Sequence, residues 1–234
     1  MRLIMSAVAV AAVLATPQVA AVSAARQLVL SVPTAPMVVD RADPAQPRRA
    51  NFGLQPVSPQ ARQHAEWIAS SADNGGLDFV IVDKLLARVH VFDANARLLG
   101  SSPVLLGAAH GDESVPGIGT RPMAQVLPHE RTTPAGRFVG ERGRNASGED
   151  VVWVDYDAAV SMHRVRATNP KERRLQRLAS PTPEDNRISY GCINVPTAFY
   201  NSTIGPLFAA RDAIVYVLPE SPPARVLTRL SRLQ

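Results

Sequence analysis

Cysteine occurs once in the 234 residues, at position 192, so no internal disulfide can form. Lysine is nearly absent: of 25 basic residues only Lys84 and Lys171 are lysines, and the net charge of +5 is carried by arginine. Five histidines (His64, His90, His110, His129, His163) and one cysteine are too scattered to give the three or four ligands of a metal site. GIGTRP lacks the remaining glycines and the lysine of a phosphate-cradling loop. Beyond the first residues no run is long and apolar enough for a membrane-spanning helix, and no internal repeat is visible. Neither a metal nor a cofactor is expected.

The opening stretch, MRLIMSAVAVAAVLATPQVAAVSA, places Arg2 before a short apolar run and ends on small residues. This predicts a signal peptide over 1–24, cut near Ala24, with a retained anchor as the alternative. An exported chain in an oxidising compartment gives its unpaired thiol three uses: packing, an intermolecular bridge, or reactivity. The arginine-rich surface suits anionic partners, and export disfavours nucleic acid among them. Acids interleaved in GEDVVWVDYD and PTPEDNR assign much of this charge to a solvated face. After cleavage no stable membrane insertion is expected, and the oligomeric state is left open.

Residues 25–76 form a proline-rich arm ending in a short helix, PQARQHAEWIASS, stopped by Asn74-Gly75-Gly76, with Trp67 as a packing anchor. Strand patterns start at LDFVIVD and ARVHVFD and run through LLGSSPVLLG as an antiparallel meander. A long irregular stretch rich in glycine and proline follows, over 107–138. VVWVDYD, AVSMHRV and DAIVYVLP are further strands, with Trp153 and Tyr156 assigned to the core. A helix is expected around 196–201 because Pro196 suits a first turn, and PARVLTRLSRLQ predicts a basic amphipathic tail helix within 220–234.

The thiol sits in RISYGCINVP. Gly191 permits a sharp turn, after which the N–H groups of Tyr190, Gly191 and Cys192 can converge on one oxygen, the layout of an acyl-transfer site. The base must be a histidine. His64 and His90 read as structural, His110 and His129 as cleft-lining or solvated, and His163 as the strand-end residue a sheet can bring beside Cys192. Substrate-holding candidates are Arg187, Asn186, Arg164 and Arg166, whose guanidinium forks and amide match carboxylates, unless the arginines pair with Glu184 or Asp185. Ser189, Tyr190 and Asn194 complete the set, Asn194 alternatively as a helix cap.

Taken in order, FVIVDKLLARVHVFDANARLLGSSPVLLG, TTPAGRF, the strand histidine, SYGCINVP and AIVYVLPE resemble the catalytic domain of the L,D-transpeptidases, the YkuD family of peptidoglycan enzymes, over 77–219. In that family the loop reads Ser/Thr-His-Gly-Cys, a hydrophobic residue, then Arg or Asn. Ser189, Gly191, Cys192, Ile193 and Asn194 match, whereas Tyr190 replaces the motif histidine and RVRATNPKERRLQRLASPTPEDNRI is longer and more basic than expected. The resemblance implies a mostly β fold, a YkuD-type sandwich or barrel-like sheet with short helices. Thr133, Pro134 and Gly136 would form the turn entering a strand. It further implies Cys192 as nucleophile and His163 as base on peptidoglycan stem peptides, in a periplasmic or cell-wall compartment. The acceptor would be a second stem amine or water, making a transpeptidase or an L,D-carboxypeptidase. A noncatalytic wall-binding protein, with Cys192 merely filling space, is the competing class.

Overall fold

A computed structural model describes residues 49–220; the leader at 1–24, most of the arm, and the tail beyond Glu220 lie outside the described residues. The strands are β1 Phe79–Asp83, β2 Arg88–Phe92, β3 Leu98–Pro103, β4 Leu106–Gly107, β5 Gly136–Arg144, β6 Asp150–Asp155, β7 Val160–Arg164, β8 Arg187–Ser189, β9 Ile193–Val195 and β10 Ala213–Val217. Eight of them form one sheet in the order β3-β2-β1-β10-β5-β6-β7-β9, while β4 pairs with β8. Within the eight-stranded sheet neighbours are antiparallel except β1 with β10 and β7 with β9, and β4 with β8 is parallel as well. Reciprocal bonds between Leu105 and Asn194 (2.8 and 2.9 Å) tie the residues after β3 to β9, so the sheet curls into a nearly closed barrel. The fold is mostly β, with short helices.

Both faces of β1 are buried, which is why FVIVD reads as an unbroken apolar run rather than an alternating one. Val80 and Val82 join Val152, Met162, Ile193 and Val215 in the barrel interior. Phe79 and Ile81 face outward onto Phe52, Ala61, Ala65 and Ile68. The helix α1, Pro59–Ser71, starts where Ser58 Oγ accepts from Ala61 N–H (3.0 Å) with Pro59 in the first turn. It ends at Ala72 in the left-handed conformation. Its inward positions are Ala61, Ala65, Ile68 and Ala69; Trp67 lies off this stripe and is 46% exposed, so it is not the expected core anchor.

The irregular stretch before β5 contains three 3-10 turns, at Ile118–Thr120, Met123–Gln125 and Pro128–Glu130. It is held from within: the Lys84 ammonium, 1% exposed, donates to Gly111 O (2.7 Å), Thr133 O (2.8 Å) and Asp112 Oδ1 (2.7 Å). All three of its hydrogens are thus satisfied, the condition on which a buried ammonium is tolerated.

The helix after β9 is longer than the 196–201 expected. It runs as α3 Thr197–Phe199, a π turn Tyr200–Ile204 and α4 Gly205–Ala210. Pro206 has no N–H and its ring crowds the preceding turn, so the chain widens to an i→i+5 bond from Gly205 N–H to Tyr200 O. The insertion between β7 and β8 supplies a second short helix, α2, Arg174–Ala179.

Candidate active site

β7 and β9 run parallel with Met162 opposite Ile193 and His163 opposite Asn194. Met162, Ile193 and Val195 point into the barrel, so alternation sends Ser161, His163, Cys192 and Asn194 to the other face. β6 extends the pattern: Val152 and Val154 are interior and Trp153, paired across to Ser161, is exterior. The expected core placement of Trp153 is therefore corrected. Its indole lies over Gly143, where a Cβ would come within 2.6 Å of the ring, and it walls the cleft above the cysteine. Tyr156, also expected in the core, is 75% exposed in the turn after β6.

The cleft has a volume of about 480 Å³, with Trp153, Ser161, His163, Tyr190, Cys192 and Arg174 among its lining residues. His163 Nδ1 lies 2.8 Å from Arg164 O, so Nδ1 carries the hydrogen and the ring's basic Nε2 is left for the thiol. Ser161 Oγ and Ala159 O are each 3.7 Å from Cys192 Sγ. Burial by itself pushes the thiol up. The His163 hydrogen bond and charge, joined by the N–H and O–H of Ser161, overcome that, and the net direction is below the ordinary thiol value.

The turn carrying the cysteine is fixed on three sides. Gly191 has φ +132°, and a Cβ there would stand 2.8 Å from Thr132 O. Thr133 Oγ1 donates to Gly191 O (2.9 Å) and accepts from Gly107 N–H (2.9 Å), joining the turn to β4. Ser189 Oγ donates to Cys192 O (2.6 Å) and accepts from Gly191 N–H (3.1 Å). Ser189 is thus a buried brace, and Gly191 N–H, expected in an oxyanion site, is committed to it, leaving the N–H groups of Tyr190 and Cys192. Tyr190 is 37% exposed and lies under the Arg131 guanidinium at 4.0 Å.

The remaining candidates divide. Asn194 is buried within β9, donates to Cys192 O (3.1 Å) and accepts from Arg174 Nη1 (2.6 Å), so it braces the site and caps no helix. Arg187 does not reach the cleft: it is buried against Glu220 (2.6 Å) and the Lys84 carbonyl (3.3 Å), and Glu220, not Glu184 or Asp185, is its partner. Asn186 is buried and donates to Val104 O. Arg164 is turned to Asp150 (2.8 Å) and Asn201 (2.7 Å), beside rather than inside the cysteine cleft. Arg166 lines the cleft, paired with Glu149.

The other histidines stand apart. His110 bridges Glu220 (2.7 Å) and Glu184 (3.0 Å), and His129 is exposed. His64 packs on Tyr216, and burial takes His90 down to about 4. Ser161 and Arg174 were not anticipated. Ser161 was readable as the residue two before His163 on one strand face, whereas Arg174, 20 positions from Asn194, had no local signal. No group of three or more metal-ligating side chains occurs among the described residues, and no helix there is long and apolar enough to cross a membrane.

No family model matches this chain, and no curated protein matches it. Matching solved structures include an LD transpeptidase in complex with imipenem, at 16% identity and TM-score 0.34, with 60% of this chain and 58% of that one covered. A second is the catalytic domain from the E. faecium L,D-transpeptidase solved by NMR, at 16% identity and TM-score 0.34, covering 60% and 96%. A third is an avibactam carbamoyl enzyme, at 15% identity and TM-score 0.36, covering 62% and 49%. A likeness of that degree carries no argument about chemistry, which here rests on the side chains themselves.

Proposed function

We propose that this chain is a cysteine acyltransferase of the L,D-transpeptidase type, exported to the periplasm or cell wall and acting on peptidoglycan stem peptides. The observation that carries the reading is the constellation on one sheet face: a partly buried thiol, an imidazole with its Nδ1 anchored, and a cleft bordering both. The stem-peptide substrate is taken from the sequence landmarks that surround Cys192 and His163.

His163 Nε2 takes the Cys192 proton, and the thiolate attacks the carbonyl between the L-centre of a diamino acid and the following D-alanine. The carbon–sulfur bond forms, and the oxyanion is received by the N–H groups of Tyr190 and Cys192. As the carbon–nitrogen bond breaks, His163 returns the proton to the leaving amine and a thioester remains. An acceptor amine then attacks the thioester, loses its proton to His163 and releases the thiol, forming a cross-link. Water in the same place gives an L,D-carboxypeptidase.

The test is intact-mass measurement after incubation with a disaccharide tetrapeptide. Transient gain of the acyl group on Cys192, with loss of D-alanine and formation of a cross-linked dimer, is expected. Absence of any thiol adduct, together with failure of iodoacetamide to alkylate Cys192 in the folded protein at neutral pH, would leave the cysteine as packing and the chain as a wall-binding protein.

A further inference from the structure

The insertion after β7 reaches the nucleophile through one side chain. Arg174, at the start of α2, donates from Nε to Glu172 and from Nη1 to Asn194 Oδ1 (2.6 Å), and Asn194 in turn donates to Cys192 O (3.1 Å). Its side chain is 14% exposed, and among the described residues Nη2 has no partner although the residue lines the cysteine cleft. Two contacts therefore immobilise the guanidinium, while among the described residues both Nη2 hydrogens remain available. A carboxylate accepts a charge-assisted bond from such a donor, and a donor already held in place loses little rotamer freedom on binding.

Other cations near the thiol are less suited. Arg166 is 41% exposed and forms a surface pair with Glu149, Arg164 is committed to Asp150 and Asn201, and Arg187 is sealed against Glu220. The charged residues facing Arg174 in the cleft are Glu172, already bonded to Nε, and Arg166. An incoming anion thus meets one prepared partner.

We propose that Arg174 is the carboxylate-recognition residue of this cleft, holding the free C-terminal carboxylate of the acyl-donor peptide so that its preceding carbonyl lies over Cys192. The inference rests on the acyl-transfer reading above for the identity of the donor, and on the Glu172–Arg174–Asn194 chain for the position.

The experiment compares a stem tetrapeptide ending in a free acid with its C-terminal amide, in two measurements. In the first, thioester formation is timed by intact mass for the wild type, Arg174→Gln and Arg166→Gln. The wild type should favour the acid by at least about tenfold in kcat/KM, the size of one charge-assisted pair. Arg174→Gln, which keeps a donor for Asn194, should reduce that preference to under about threefold, mainly through KM. Arg166→Gln should retain the preference. Iodoacetamide alkylation of Cys192 should be equal in wild type and Arg174→Gln, showing the turn intact.

In the second measurement, calorimetric titration uses Cys192→Ala with and without Arg174→Gln, so that binding is read without chemistry. A thioester whose acid preference survives Arg174→Gln would overturn the role of Arg174 and leave the enzyme reading standing. Acid-selective binding that depends on Arg174, without any thioester in the wild type, would keep the recognition site and remove the acyltransferase. Equal binding of acid and amide to Cys192→Ala would overturn the site outright.

Discussion

Replacing Gly191 by alanine should unseat Cys192, and the size of the effect follows from two separable terms. The first is backbone strain: at φ +132° a side chain costs on the order of 1–3 kcal/mol. The second is collision, because the new Cβ would lie 2.8 Å from Thr132 O. That oxygen cannot simply retreat. Thr132 Oγ1 is bonded to Glu113 O (2.6 Å), and the next residue is pinned by its hydroxyl to Gly107 and Gly191. Overpacking against such a wall costs roughly 1–3 kcal/mol more. A total of about 4 kcal/mol should lower the melting temperature by about 8–16 °C for a domain of this size. Gly148 is the control, since it also has a positive φ (+80°) but no atom within 4 Å of its would-be Cβ. Calorimetric melting of the two alanine variants isolates the collision term. Alkylation of Cys192 by iodoacetamide at neutral pH should fall in Gly191→Ala, where the displaced turn takes the thiol from the His163 contact that favours its ionisation, and stay unchanged in Gly148→Ala. Equal melting temperatures for the two variants would refute the reasoning.

Other outcomes follow from the same contacts. His163→Ala should slow thioester formation by about a hundredfold or more; with its hydrogen bond and charge gone, burial dominates, so the pH profile of Cys192 alkylation should move upward. Thr133→Val removes the hydroxyl that serves both Gly107 N–H and Gly191 O, and should destabilise by about 2–3 kcal/mol in urea titration, because both buried groups lose their partner. For His110, the bond to Glu220 and then that to Glu184 raise its pKa above 6.5. Its contribution to stability is therefore fully present below pH 6.5 and lost as pH rises through the folded value. The difference in urea midpoint between wild type and His110→Gln should accordingly shrink from pH 5.5 to pH 9; a constant difference would contradict the bridging role.

The strands β1, β2, β6, β7 and β10 and the helix α1 were legible because each carries a local period or a stop signal, as in the Asn74-Gly75-Gly76 exit, whereas the Ser58-Pro59 entry of α1 was not read. That His163, rather than another histidine, shares a cleft with Cys192 was legible too, since strand context ranks the histidines. Burial of an individual side chain was less so. Trp67, Trp153 and Tyr156 are large and apolar enough to suggest a core, but which face a residue occupies is set by the neighbours' register and by a helix stripe, and these rings fell outside the interior.

Roles decided by contacts across the chain stayed hidden for the same reason. Arg187 and Arg174 are chemically identical and both lie near the cysteine in sequence. One is buried on Glu220, 33 positions away, and the other touches Asn194, 20 positions away. Composition and spacing determined the elements, the lone thiol and the turn glycine that bears it. Tertiary structure decided which groups surround that thiol, because parallel pairing of two distant strands puts Ser161, His163, Cys192 and Asn194 on one face, and only that pairing fixes their separations.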